Sequence, residues 1–315
     1  LAAANAAGTD PPRIQLLLQT VSSEPAAFRP TGAGGDGDGS RYAAIVLDIF
    51  QWMDATYGMV PDEIGIANEP NIIGNWGFTD EAFAMRATAD LLSANGYTPR
   101  FVSATNSTEN AALTHFDAVA ATANGIAAGI PSALTWHRYG GQTLANRQAI
   151  AARLSDSFPG LMTEWIVRSG TVQQSLEQVV LEANGSGWAQ LNILDYIRSA
   201  SPGDGNPVVT AGTRYIPEYL RHLRRGARRV ASTEAHASIA AALAWVRPEG
   251  KHVVTVRSTA AIGSFTVGGL PAGTYDVSET TAFVERQAGT PVVVTNGSTA
   301  TLAASAAGVL SLVRQ

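Results

Sequence analysis

One pattern constrains this chain more than any other: a short apolar run followed by a segment with apolar residues at helical spacing recurs six times between Arg13 and Arg225. The runs Arg13–Thr20, Ile64–Ala67, Arg100–Ala104, Ala133–Trp136, Leu161–Thr163 and Ala189–Leu194 are expected as strands. The intervening segments Arg41–Tyr57, Thr79–Asn95, Asn110–Ala128, Gln142–Phe158, Thr171–Ala183 and Pro217–Arg225 are expected as helices. The first of these helices carries Ile45, Ile49, Trp52 and Met53 at helical spacing. The second should start at an N-cap, Thr79, and stop at Gly96. Repeated strand–helix units cannot pair by tight hairpins, so the strands must run parallel under a cover of helices.

From Ser232 the period changes. Short alternating runs separated by hairpin signals at Arg247–Gly250, Pro271–Gly273 and Asn296–Gly297 predict an all-β sandwich. Its expected strands are Ile239–Val246, Val253–Ser258, Ser264–Val267, Tyr275–Glu279, Val292–Thr295, Thr299–Ala303 and Val309–Val313. The expected division is a catalytic α/β domain at 1–230 and a β-sandwich at 231–315.

Composition excludes several classes. With 315 residues, 45% of them hydrophobic, the chain can bury a large core. A net charge of -5 gives no general attraction to nucleic acid. The basic cluster Arg221, Arg224, Arg225, Arg228 and Arg229 lacks interleaved aromatics and is expected at a helix C-terminus. There is no cysteine, which removes disulfides, thiolate metal sites and cysteine nucleophiles. No apolar run approaches the roughly 20 residues of a membrane span. Leu1–Ala7 is expected as the last turns of a helix, without a signal-peptide pattern. Asp36-Gly37-Asp38-Gly39 lacks the remaining ligands of a calcium loop and is expected as a turn. The five histidines form no HExxH motif, and neither a GxSxG elbow nor a phosphate-binding loop occurs.

Two glutamates stand out. Glu69 follows Ile64-Gly65-Ile66-Ala67-Asn68, and Glu164 follows Leu161-Met162-Thr163, so each carboxylate is placed at the exit of a buried strand. Such a group is rigidly held yet reaches a cleft, which suits a general acid or a nucleophile. Taken singly, a glutamate before proline is equally a loop carboxylate or a helix N-terminal charge. Together, at the C-terminal ends of parallel strands, the pair matches the habit of (β/α)8 barrel enzymes.

Asn68-Glu69-Pro70, Thr163-Glu164-Trp165 and Trp136-His137-Arg138-Tyr139 resemble the strand-four, strand-seven and strand-six motifs of the clan A glycoside hydrolases. Tyr215–Val230, Ala244–Gly250 and Gly269–Val277 are similar to family 30 within that clan, so the likeness spans nearly the whole chain. The resemblance implies a (β/α)8 barrel followed by a β-sandwich and retaining hydrolysis of β-glycosidic bonds. Glu69 would be the acid/base and Glu164 the nucleophile, with no metal or organic cofactor. Two departures accompany it: family strands one and two have no counterpart before Leu1, and Gln190-Leu191-Asn192 stands where the family carries a strand-eight tryptophan. A barrel lacking its first two strands is therefore expected.

Around the pair, Tyr139 is expected to donate to Glu164, and His137 to substrate or the same network, unless the two are an aromatic core pair. Asn68 is expected to contact a sugar hydroxyl, or else to satisfy its own turn. Trp76 and Trp165 are candidates for stacking on sugar rings, with core packing as the alternative. The expected partner is a carbohydrate, and the expected compartment of the complete protein is extracellular or periplasmic. Competing readings are a carbohydrate-binding protein without turnover and an inactive fragment with exposed barrel edges.

Overall fold

The computed structural model describes residues 17–21, 25–73, 76–166, 171–191, 197–199, 207–209, 213–223, 226–295 and 299–315. The expectations for Leu1–Ala7, the start of Arg13–Thr20, Asn192–Leu194, Arg224, Arg225 and the Asn296–Gly297 turn lie outside those residues. The chain divides into two compact units, 1–166 with 178–191 and 167–177 with 192–315.

In the first unit, strands β1 (Leu17–Val21), β2 (Glu63–Asn68), β3 (Arg100–Val102), β4 (Asn106–Thr108), β5 (Pro131–Gly140), β6 (Gly160–Glu164) and β7 (Gly187–Trp188) form one sheet. Its order is β1-β2-β3-β5-β6-β7 with β4 also on β5. Every pairing is parallel. The third expected strand is thus split into β3 and β4. The last strand is Gly187–Trp188, just before the expected Ala189–Leu194 run and not overlapping it, because Gly187 and Trp188 continue the register from Leu161 and Met162.

Helices α1 (Ser40–Tyr57), α2 (Pro70–Ile73), α3 (Phe78–Ala94), α4 (Glu109–Ala121), α5 (Leu144–Ala151) and α6 (Val172–Leu181) connect the strands. Helix α1 starts where the glycine-rich loop ends. Asp36 accepts from the backbone N–H of Gly39 and Arg41, and Asp38 from that of Ser40. Partial burial pushes the Asp36 carboxyl up, but these backbone donors hold it below its ordinary value. Gly39 is obligatory here: its φ is +83°, and a Cβ would lie 2.8 Å from the Ala84 backbone.

Several boundaries depart from expectation. Helix α3 begins at Phe78, not Thr79, because Asp80 reaches back to the Gly77 N–H and also accepts from Thr31. Helix α4 ends at Ala121, seven residues early, where Ala123 and Asn124 adopt positive φ. Helix α5 ends at Ala151, and Ser155 and Phe158 form a bridge instead. The buried face of α1 is Tyr42, Ala43, Val46 and Phe50, whereas Trp52 is 57% exposed and packs edge-on against exposed Tyr57. The unit's core joins Tyr42, Val46, Phe50, Ile64, Ile66, Trp76, Met85, Leu92 and Phe101.

The second unit carries the short hairpin β8 (Ile197–Ser199) with β9 (Pro207–Val209), helix α7 (Ile216–Leu220), and nine further strands from β10 to β18. In chain order these nine are Arg228–Val230, Ile239–Val246, His252–Ser258, Ile262–Val267, Gly273–Thr281, Gln287–Ala288, Val292–Val294, Ala300–Ala304 and Gly308–Arg314. Arg228 and Arg229 therefore sit on a strand paired with β11, not on a helix end. All seven strands expected from the alternating pattern are present.

The main sheet, β10-β11-β12-β18-β14-β15 with β16 on β14, faces the β13-β17 pair across a core of Val254, Val256, Phe265, Tyr275, Leu302, Leu310 and Leu312. Its other face mixes buried apolar residues, among them Leu243, Trp245 and Val253, with polar ones. Glu218 of α7, fully buried, accepts from Ser278, Thr280 and Ser311, while Glu177 takes a two-pronged contact from Arg257 and a hydroxyl from Tyr219. These bonds offset the cost of burying two carboxylates. No helix among the described residues is long and apolar enough to cross a membrane.

Candidate active site

Strand β2 delivers the first carboxylate. Ile64 and Ile66 anchor the strand in the core, and Asn68 is its last residue. The chain then turns sharply at Glu69, whose φ is +49°. For a residue with a Cβ this conformation costs roughly 1–2 kcal/mol. Two backbone bonds hold it: Glu69 N–H donates to Thr105 C=O at 2.8 Å, and Glu69 C=O accepts from Ile72 N–H at 2.9 Å.

Strand β6 delivers the second carboxylate, Glu164, as its last residue. Between them lies β5, which extends to Gly140, four residues beyond the expected Trp136, because it pairs with both β4 and β6 along its length. This longer strand carries His137 and Tyr139 into the site. His137 Nδ1 lies 2.8 Å from Glu69 Oε1 and 3.7 Å from Glu164 Oε1. The Tyr139 hydroxyl donates to Glu164 Oε1 at 2.8 Å. One donor atom from each of Glu69, His137 and Glu164 lies within 4.8 Å of the others. The imidazole is 1% exposed and the two carboxylate side chains 18% and 20%, so a fixed ring bridges two groups that open to solvent.

Asn68 joins this cluster through residues that the sequence reading missed. Its Oδ1 accepts from the Thr105 hydroxyl at 3.0 Å, and Gln19 of β1 donates to that same hydroxyl oxygen. This bond sets the orientation of the Asn68 amide, with Oδ1 turned toward Thr105. Gln19 and Thr105 carry no motif; only the register of β1 on β2 and the Asn68–Thr105 bridge brings them together.

The two tryptophans are placed differently from the expectation for sugar stacking. Trp76 is 3% exposed and packs edge-on against Tyr42 in the core. Trp165 is 2% exposed, with the Arg138 guanidinium 5.8 Å from its ring centre. Neither has a free face for a sugar. A cavity of about 310 Å³ elsewhere in the unit, between Met85, Phe116, Val119 and Phe158, is lined by none of the candidate residues.

No protein-family profile matches the chain, and no curated protein sequence matches it. Solved structures do match. The catalytic domain of GH30 xylanase C from Talaromyces cellulolyticus superposes with a TM-score of 0.71 at 16% identity, over 93% of this chain and 74% of that one. A conserved exported protein from Bacteroides fragilis gives 0.74 at 13% identity, over 94% and 76%. An endo-β1,6-glucanase gives 0.67 at 15% identity, over 96% and 71%. At such identities the likeness defines the fold: the chain has the (β/α)8-like and β-sandwich architecture of glycoside hydrolase family 30 structures.

Proposed function

We propose that the chain is a retaining β-glycoside hydrolase in which Glu164 is the nucleophile and Glu69 the acid/base. The observation that carries this reading is the approach of the two carboxylates to within 4.8 Å of each other, counted between oxygens. Retention calls for carboxyl groups about 5–5.5 Å apart, whereas inversion needs roughly 6.5–9.5 Å to admit a water molecule.

In this scheme a Glu164 oxygen attacks the anomeric carbon while the glycosidic C–O bond breaks, and Glu69 gives its proton to the departing oxygen. A water molecule then attacks the same carbon, losing a proton to Glu69 and releasing Glu164. His137 Nδ1 lies 2.8 Å from Glu69 Oε1, and in its Nδ1–H tautomer would donate to that oxygen and leave Oε2 to carry the transferred proton. Tyr139 orients Glu164. Asn68 binds the sugar 2-hydroxyl in this reading, a contact that strengthens as charge develops on the ring. Two carboxylates and water complete the reaction without a cofactor.

Fold neighbours named as xylanases and a β1,6-glucanase support a neutral β-linked polysaccharide or oligosaccharide as substrate, which suits an acidic protein. A neighbour named as exported supports an extracellular or periplasmic setting. We assign catalysis to 1–230 and the β-sandwich to 231–315. The test is hydrolysis of aryl β-glycosides differing only in sugar, with the first-formed anomer read by NMR. Retention, lost in Glu164→Gln and Glu69→Ala, is expected. An inverted first product, or sugar binding with no turnover by the wild type, would overturn the proposal, the latter in favour of a binding protein.

A further inference from the structure

Glu69, His137 and Glu164 present an imidazole nitrogen and two carboxylate oxygens to one small volume. We propose that these three side chains bind one borderline divalent cation, Zn²⁺ or Cu²⁺, and that the bound cation blocks the site. The binding stands on geometry; the inhibition rests on the hydrolase reading above.

Nitrogen and carboxylate donors around an open fourth position suit zinc. Tetrahedral coordination at about 2.0–2.2 Å sets neighbouring donors roughly 3.3–3.6 Å apart. The present separations, from 2.8 Å and 3.7 Å to at most 4.8 Å, bracket that value. His137 is packed in place, so the two partly exposed glutamates supply the adjustment. Tyr139, donating to Glu164 Oε1, acts as the outer support that orients a ligand.

The set also discriminates. Mg²⁺ and Ca²⁺ prefer all-oxygen shells, to which the imidazole nitrogen is poorly suited. Cu²⁺ and Zn²⁺ favour imidazole, and there is no cysteine to compete for them. Among the described residues no second group of three such donors occurs, and His115 is already tied to buried Glu81 at 2.6 Å. Binding through Nδ1 needs the Nε2–H tautomer, so the hydrogen between His137 Nδ1 and Glu69 leaves to solvent while Nε2 takes one up, with the imidazole neutral and no change of oxidation state. The cation then occupies the lone pair with which Glu164 would attack and the oxygen through which Glu69 would transfer its proton.

The experiment is calorimetric titration of the full chain with Zn²⁺ alone, without substrate. One equivalent should bind, Mg²⁺ should give no heat, and Glu69→Gln and Glu164→Gln should each weaken Zn²⁺ at least about tenfold. Circular dichroism of both variants checks folding, and X-ray absorption of the wild-type zinc complex should show one imidazole among oxygen donors. No binding, binding that survives both substitutions, or a coordination shell without imidazole overturns the site. With an active substrate in hand, Zn²⁺ should inhibit competitively and a chelator should restore the rate. Zinc binding at these residues with no glycosidase activity would sink the hydrolase reading and leave the metal site. Hydrolysis unaffected while Zn²⁺ is bound at these residues would overturn the block, and hydrolysis with no zinc binding would sink the metal site and leave the hydrolase reading.

Discussion

Strand β5 separates two clusters of charge by a single residue. His137 and Tyr139 face Glu69 and Glu164, while Arg138 between them faces the other way, toward Glu109, Gln178 and Trp165. The site cluster joins two glutamates through an imidazole and a phenol, and its carboxylates open to solvent. The opposite cluster joins Glu109, fully buried at the start of α4, to the guanidinium groups of Arg138 and Arg147, with Arg147 also on Glu182. There, burial pushes Glu109 up to about 7 against the pull of both arginines, and it pushes Arg138 down against the pull of Glu109. Both members move toward neutrality, as desolvation of a buried pair dictates. Alternation along a strand lets one segment supply chemistry on one face and scaffold on the other.

The sharpest way to break this comparison is to remove a charge from each face. Glu164→Gln should lower kcat about 10,000-fold, roughly 5 kcal/mol of barrier, while unfolding free energy changes little. Arg138→Met should do the opposite to stability, costing about 3–5 kcal/mol in denaturant titrations, because Glu109 loses a buried partner. If Arg138→Met unfolds like the wild type, the buried cluster is not scaffold.

Glu109 adds a pH signature. Its folded form binds a proton more tightly than the ordinary carboxyl at 4.5, so its stabilising contribution is complete below pH 4.5 and lost as pH rises through about 7. Stability should therefore decline across that window by up to about 3 kcal/mol, and Glu109→Gln should flatten the decline. Tyr139→Phe removes a hydrogen bond to a carboxylate, worth about 1.5–3 kcal/mol, and should lower kcat roughly 10- to 100-fold without altering the fold. The smallest effect belongs to Thr105→Val, which frees the Asn68 carbonyl oxygen. It should cost about 1 kcal/mol, roughly fivefold in kcat/KM, with Thr105→Ser restoring the rate.

Much of this was legible before any coordinates. The strand–helix rhythm gave the parallel sheet, and the period-2 runs after Ser232 gave all seven expected strands of the second unit. Glu69, Glu164, His137, Tyr139 and Asn68 were read from strand ends and motifs, and the fold brings them together. Helix ends were less legible: Asp80 moves the start of α3 by bonding to Gly77 and Thr31, a choice no helical period encodes. The faces of aromatic residues were decided by packing for a related reason. Trp52 sits at helical spacing yet outside the buried face, while Trp76 and Trp165 sit beside site motifs yet inside packed interiors.

By itself, then, the sequence determined most of the longer strands, their apolar periodicity, and which carboxylates stand at strand exits. Those properties follow from local periodicity. Tertiary structure decided that Gln19 and Thr105, 86 residues apart, would set the orientation of Asn68, and that His137 would bridge Glu69 and Glu164. It also assigned Arg138 to the scaffold and its two neighbours to the site. Distances between strands depend on sheet register, and a burial environment depends on every element that packs around it, so neither is written in any one stretch of chain.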